Sequence, residues 1–143
     1  MLNELVNKLG FIDLPNEWKH YLFYTQSSFL ISGLHRISIK DWLWNQSSEE
    51  REHVKEFSEM LLGMGVILNT DYKQLLPTFS DPQDILRYSF DMETEVVKNY
   101  TDRISEAEKI GGVEGKFIQV FLEEQLIHSR QDIDEINMFL KGM

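Results

Sequence analysis

The feature that most constrains the fold of this chain is the scarcity of residues that interrupt a helix. Its 143 residues include only 3 prolines and 8 glycines, and these positions separate long segments whose apolar residues recur at helical spacing. The pattern predicts helices over residues 15–33, 38–64, 82–110 and 113–140, after an irregular or short helical lead over residues 1–14. The sequence therefore predicts an all-α protein.

The ends of the predicted helices indicate how the helices connect. Pro15 suits a first helical turn, and Gly65 suits a helix end. Asp81 can cap the helix that starts at Pro82. About 15 residues connect the second helix to the third, which is too many for a simple turn. Two helical hairpins joined by one long crossover predict a four-helix bundle. Because 42% of the residues are hydrophobic, one core can be filled, and a single domain over residues 1–143 is expected.

Composition narrows the classes of partner. The chain holds 24 acidic against 14 basic residues, a formal net charge of −10. This charge repels phosphate backbones and anionic lipid, so neither nucleic acid nor a membrane is expected as a partner. Since there is no cysteine, a bound metal must be held by oxygen and imidazole nitrogen, which favours iron or manganese over structural zinc. No leader peptide and no apolar run of the roughly 20 residues that span a bilayer is recognisable, so a cytoplasmic protein is expected.

Polar side chains interrupt the apolar row of each predicted helix. Positions spaced alternately by four and three define the row that faces the core of a helical bundle. On all four helices, that row holds residues that can bind a metal or donate a hydrogen bond. These inward polar residues are, in chain order, Glu17 with Tyr21 and Tyr24, Gln46 with Glu50 and His53, Glu93, and Gln125 with His128.

A pair of metal ions explains the inward carboxylates. Burying an ionised carboxylate is costly and clustered acids repel one another, while the inward rows are expected to contain no Lys or Arg. Two divalent ions would offset the charge of the three acids. Glu50-x-x-His53 matches the ligand pair that di-iron helical bundles use. Gln125-x-x-His128 matches it only in part, because an amide replaces the carboxylate.

The second predicted helix resembles that of the bacterial non-haem ferritins. The similarity lies in the segment Ser48-Glu49-Glu50-Arg51-Glu52-His53, followed by Phe57 and ending at Gly65. The resemblance extends over residues 15–140 through scattered motif positions. It implies a ferritin-like four-helix bundle with a di-iron centre.

The resemblance also implies roles for single residues. Glu17 and Tyr24 are similar to the family's first-helix ligand and to the tyrosine beside its iron site, and Leu122-Glu123-Glu124-Gln125 resembles its fourth-helix motif. Arg51 stands where bacterioferritins carry the methionine that binds haem, so no haem is expected. The implied iron ligands are Glu17, Glu50 as the bridge, His53, Glu93 and either Gln125 or His128, with Glu49 and Glu124 as an outer site or as solvated acids.

The implied activity is oxidation of Fe(II) by oxygen, for iron storage or detoxification, with Tyr24 lending an electron or hydrogen-bonding a ligand. Two alternatives stay open. One is a di-iron oxygenase or peroxidase that acts on a small organic substrate, and the other is an interaction protein without metal. His20 and His35 are expected on the surface. Trp42 and Trp44 predict a homo-oligomer, with a closed shell favoured over an isolated dimer.

Overall fold

The computed structural model describes residues 1–68 and 76–143, and every regular element in these ranges is helical. The elements are α1 (Leu2–Lys8), a π-helical turn (Leu9–Asp13), α2 (Leu14–Leu30), α3 (Arg36–Gly63), α4 (Pro82–Ile110) and α5 (Gly112–Lys141). The four long helices confirm the all-α prediction and have nearly the predicted bounds. Residues 69–75 of the predicted crossover lie outside the described residues. Among the described helices, none combines the length and the apolar character needed to cross a bilayer.

The lead before α2 is helical, one of the two forms expected for it. Pro15 lacks a backbone N–H and therefore interrupts the regular series of helical hydrogen bonds. The π-helical turn Leu9–Asp13 lies directly before this interruption. Helical residues thus precede Glu17 by several turns, although Pro15 by itself predicted that the helix begins at residue 15.

The contacts within the chain define two compact units. One comprises Leu9–Ile85, and the other comprises Met1–Lys8 with Leu86–Met143. The expected single domain over residues 1–143 stays a prediction.

The unit Leu9–Ile85 is built on the helical hairpin of α2 and α3. Its buried apolar residues include Leu14, Phe23, Tyr24, Ile31, Ile39, Leu43, Phe57 and Leu61. The segment that follows the crossover packs on α2, since the Gln26 amide donates a hydrogen bond of 3.1 Å to the Pro77 carbonyl. The rings of Phe23 and Phe79 meet edge to face at 6.5 Å. At the end of this segment, Asp81 Oδ1 accepts hydrogen bonds from the backbone N–H groups at 83 and 84, as predicted for the cap of α4.

The second unit is the hairpin of α4 and α5 together with α1. A salt bridge of 2.7 Å joins Lys8 of α1 to Glu106 of α4. Gly111 and Gly112 take φ angles of 66° and 65°, a left-handed conformation that glycine adopts readily and that turns the chain between the helices. A Cβ atom at Gly115 would lie 2.6 Å from the carbonyl oxygen of Ala107. The two helices therefore approach each other closely next to the turn.

Candidate metal centre

The α2–α3 hairpin buries four side chains that can bind a metal. Glu17 and His20 lie one turn apart on α2, and Glu50 and His53 lie one turn apart on α3. Residues three apart on a helix share a face. All four are buried although each carries a polar or ionisable group. The hairpin thus presents two carboxylates and two imidazoles to its interior.

Three of these side chains converge on one point. Nδ1 of His53 lies 3.2 Å from Oε2 of Glu50 and 3.5 Å from Oε2 of Glu17. One donor atom from each of the three residues lies within 4.8 Å of the other two. Donor atoms this close together can be brought around a single metal ion by small side-chain rotations. The structure thereby brings together Glu17, Glu50 and His53, which the sequence placed on two different helices.

The electrostatics of this cluster follow from burial and mutual attraction. Burial alone would lower the pKa of the His53 imidazolium, but hydrogen bonds to Glu17 and Glu50, together with their charges, raise the pKa to about 11. Burial alone would raise the pKa of Glu17, yet its hydrogen bonds with His53 and Glu50 lower the pKa to about 2. At neutral pH, the metal-free cluster therefore holds a protonated His53 beside an ionised Glu17.

The residues present fit a divalent metal ion. Two buried acidic side chains and one imidazole meet at this point, and a divalent ion would let both acids ionise without leaving a buried charge unmatched. Among the described residues of the unit Leu9–Ile85, no Lys or Arg is buried. Oxygen and imidazole donors suit Fe(II), Mn(II), Co(II) and Zn(II). The donor chemistry and the charge of the cluster both favour a cation at this position.

His20 is a buried residue, so the expectation that it lies on the surface is wrong. One of its ring nitrogens lies within 4.8 Å of a carboxylate oxygen of Glu50. Burial lowers the pKa of His20 to about 4, although the charge of Glu17 acts in the opposite direction. The imidazole of His20 is therefore neutral at pH 7. The sequence does contain a signal for it, because Glu17-x-x-His20 repeats the spacing of Glu50-x-x-His53. His35 is exposed, as expected.

The α4–α5 hairpin buries Glu93 and Gln125, the residues expected to point inward on these helices. His128, also expected on the inward row, is exposed instead, and the buried row of α5 continues through Ser129. Arg103 of α4 is buried. The expectation that the inward rows contain no Lys or Arg is therefore wrong for this unit.

The remaining candidates lie at the periphery of the hairpins or beside the cluster. Glu49 and Glu124, the acids of the expected outer site, are both exposed. Tyr24 is fully buried, two turns after Glu17 on α2. Its ring meets that of Trp42 edge to face, with the centroids 6.0 Å apart. The phenol therefore lies in the same helical interior as the carboxylates.

Comparison with known proteins identifies the class to which this fold and cluster belong. Residues 12–136 match the family model of the ferritin-like domain. The chain belongs to the ferritin-like family, and its fold is the ferritin-like four-helix bundle with a long crossover.

Solved structures support the same fold. A ferritin-like di-iron-carboxylate protein of Bacillus anthracis superposes with a TM-score of 0.86 at 22% identity, over 96% of each chain. A dodecameric thioferritin of Bacteroides fragilis, described as bacterioferritin-related, superposes with a TM-score of 0.87 at 15% identity, over 99% of this chain and 87% of the other. A bacterioferritin of Mycobacterium tuberculosis gives 0.80 at 16%, over 98% and 86%. No curated protein matches the sequence.

Proposed function

We propose that this protein binds Fe(II) ions in pairs and oxidises them with oxygen, for iron storage or detoxification. The observation that carries the proposal is the convergence of Glu17, Glu50 and His53 within 4.8 Å in the interior of the hairpin. Family membership supports it. Iron is the substrate here. Each Fe(II) gives up one electron, so a pair supplies two electrons, which together with two protons from water reduce one oxygen molecule to hydrogen peroxide.

The side chains have distinct roles in this proposal. Glu50 is the bridge between the two ions, and Glu17 and His53 complete the first site. The resemblance to ferritins assigns Glu93 and Gln125 to the second iron. Burial of both side chains is consistent with that role, whereas the exposed position of His128 favours Gln125 as the α5 ligand.

Carboxylates suit both oxidation states of the iron, since hard oxygen donors hold the ion as its charge rises. Burial of the cluster keeps bulk water away from the reacting ions. Tyr24 lies deep enough in the hairpin to supply an electron or to hydrogen-bond a ligand. The exposed acids Glu49 and Glu124 are proposed as an outer site through which iron passes.

An exposed apolar face on the hairpin supports assembly into a homo-oligomer. Phe29 is 64% exposed and Trp44 is 49% exposed, and their rings contact each other with centroids 5.7 Å apart. Large apolar side chains grouped in this way are typical of surfaces that another subunit covers. The related protein of Bacteroides fragilis is dodecameric, which favours a closed shell over an isolated dimer.

Anaerobic titration with Fe(II), followed by addition of oxygen, tests the proposal. We expect two Fe(II) ions to bind per chain and the absorbance of Fe(III) to appear only after oxygen is added. A protein that binds no Fe(II) under these conditions, or binds it without accelerating its oxidation over buffer, would rule out the proposed activity.

A further inference from the structure

We propose that His20 is a metal ligand, so that the α2–α3 hairpin alone supplies one imidazole to each ion of a pair that shares Glu50. This inference rests on the proposed function and extends it. The ligands implied by the resemblance to ferritins do not include His20, and the sequence placed it on the surface. The ligand class is a divalent cation that accepts both oxygen and imidazole nitrogen.

The first argument is the pairing of the two helices. A short connection joins α2 to α3, so they run in opposite directions. One turn forward on α2 therefore corresponds to one turn backward on α3. Glu17 lies beside His53, and one turn further along α2 His20 lies beside Glu50. The two Glu-x-x-His pairs thus face each other, each carboxylate opposite an imidazole.

The second argument is distance. Ligand atoms bound at about 2.1 Å to one ion lie at most about 4.2 Å apart. A nitrogen of His20 and an oxygen of Glu50 already lie within 4.8 Å of each other. A side-chain rotation that shifts one of these two atoms by a fraction of an ångström brings both into one coordination sphere. No movement of the helices is needed.

The third argument is the position of Glu50 between the two imidazoles. Its carboxylate lies within 4.8 Å of a ring nitrogen of His20 as well as of His53. A carboxylate has two oxygens and can bind one ion with each. Glu50 is therefore placed to join an ion held by His53 and Glu17 to a second ion held by His20.

The contribution of His20 also accounts for the nitrogen donor that α5 does not supply. His128 was the histidine expected to point inward from that helix, and it is exposed. The buried residue one turn before it is the amide Gln125. Both imidazoles of the proposed pair then come from the α2–α3 hairpin.

Proton NMR of the Co(II)-loaded protein tests this assignment. Co(II) is a paramagnetic probe, and each imidazole bound to it shows a strongly shifted exchangeable N–H resonance that disappears in D2O. We expect two such resonances in the unmodified protein. His20→Gln should remove one of them and weaken binding of the second Co(II) at least about 10-fold, the lower end of what loss of even an outer partner of a metal ligand does.

Two exposed histidines provide matched controls. His35→Gln and His128→Gln make the same chemical change outside the proposed site, and both variants should keep the two shifted resonances and the affinity for both ions. Far-UV circular dichroism of the metal-free His20→Gln variant verifies that it folds. The count of resonances in the unmodified protein does not depend on that variant.

The outcomes separate this inference from the proposed function. Binding of Co(II) with a single shifted imidazole N–H in the unmodified protein overturns the role of His20 and leaves the site at Glu17, Glu50 and His53 intact. Retention of both resonances in His20→Gln has the same meaning. If no Co(II) binds at all, the proposed metal site is wrong and the assignment of His20 fails with it.

Discussion

Nδ1 of His53 lies 3.2 Å from Oε2 of Glu50, which occupies the preceding turn of the same helix. The same nitrogen lies 3.5 Å from a carboxylate oxygen of Glu17 on α2. In the metal-free protein, one proton on this imidazole thus provides the positive charge between two buried carboxylates. A divalent ion supplies more charge at the same point and requires the deprotonated ring, so binding exchanges a proton for a metal.

Replacing the shared carboxylate should eliminate the activity. We expect Glu50→Gln to reduce the rate of oxygen-dependent Fe(II) oxidation by more than about 100-fold, because a neutral amide neither bridges two ions nor offsets their charge. Glu59→Gln is the matched control, since this acid of the same helix is exposed and has no role in the proposed site. Stopped-flow absorbance of Fe(III) formation measures both. A Glu50→Gln variant that oxidises iron at the full rate would exclude the proposed site.

Metal affinity should depend on pH because of His53. The metal-free imidazole has a pKa of about 11, so it is protonated at neutral pH and must release its proton when a metal binds. One proton released when an ion binds to His53 raises the affinity of that site about tenfold for each pH unit between pH 6 and 8. Calorimetric titration with Zn(II) in buffers of different ionisation enthalpy counts the protons. Binding without proton release would show that His53 is not a ligand.

The buried neutral His20 should make the metal-free protein less stable in mild acid. Its pKa is lowered from 6.5 to about 4, so its contribution to stability is fully present above pH 6.5 and is lost as the pH falls toward 4. The loss between pH 6.5 and 5 is on the order of 2 kcal/mol.

This window is separate from those of the neighbouring groups. The stabilisation from Glu17 is lost only as the pH falls from 4.5 to about 2, and that from His53 only as the pH rises from 6.5 to about 11. Urea denaturation in the presence of a chelator should show the drop in the unmodified protein and in His35→Gln, but not in His20→Gln. Equal pH dependence in all three proteins would contradict the burial of a neutral His20.

The close approach of α4 and α5 predicts a sensitive glycine. A Cβ atom at position 115 would lie 2.6 Å from the backbone oxygen of Ala107, and a backbone atom cannot move aside as the end of a side chain can. We expect Gly115→Ala to destabilise the protein by about 1–3 kcal/mol, as overpacking does. At Gly63, the last residue of α3, a Cβ meets nothing within 4 Å. Gly63→Ala should therefore leave the free energy of unfolding unchanged or raise it slightly, which chemical denaturation of both variants would verify.

The sequence was sufficient to place Gln46, Glu50 and His53 in the interior of α3, because three polar residues interrupt one otherwise apolar row and all three are buried. It was insufficient where two neighbouring positions compete for the same face. On α2 the rule of four selected Tyr21, yet the residue three after Glu17, His20, is the buried one, and Tyr21 is only partly buried. Spacing by three and by four both return to the same side of a helix. The structure distinguishes them through Glu50 on another helix, whose carboxylate lies within 4.8 Å of His20.

The same ambiguity explains the error on α5. After Gln125, the row can continue to His128 or to Ser129, and the structure buries Ser129. The row then continues to Asp132 and Ile136. Because serine is mostly found at exposed positions in proteins, the pattern did not favour Ser129 for the interior. His128 was instead predicted to point inward, because a histidine three residues after a glutamine matches the expected ligand pair in part.

The apolar face formed by Phe29 and Trp44 should hold the subunits together. Trp44→Glu places a charge on this exposed face without disturbing the buried cluster, so the monomer should fold as before. Because interface tryptophans often contribute 2 kcal/mol or more, we expect subunit affinity to fall by about 30-fold or more.

Met138→Glu, at a residue of α5 that is 69% exposed, introduces the same charge elsewhere. Sedimentation velocity at micromolar concentration, with and without iron, should give an oligomer for the unmodified protein and for Met138→Glu, and a smaller species for Trp44→Glu. A monomeric unmodified protein under both conditions would refute the assembly and weaken the case for iron storage.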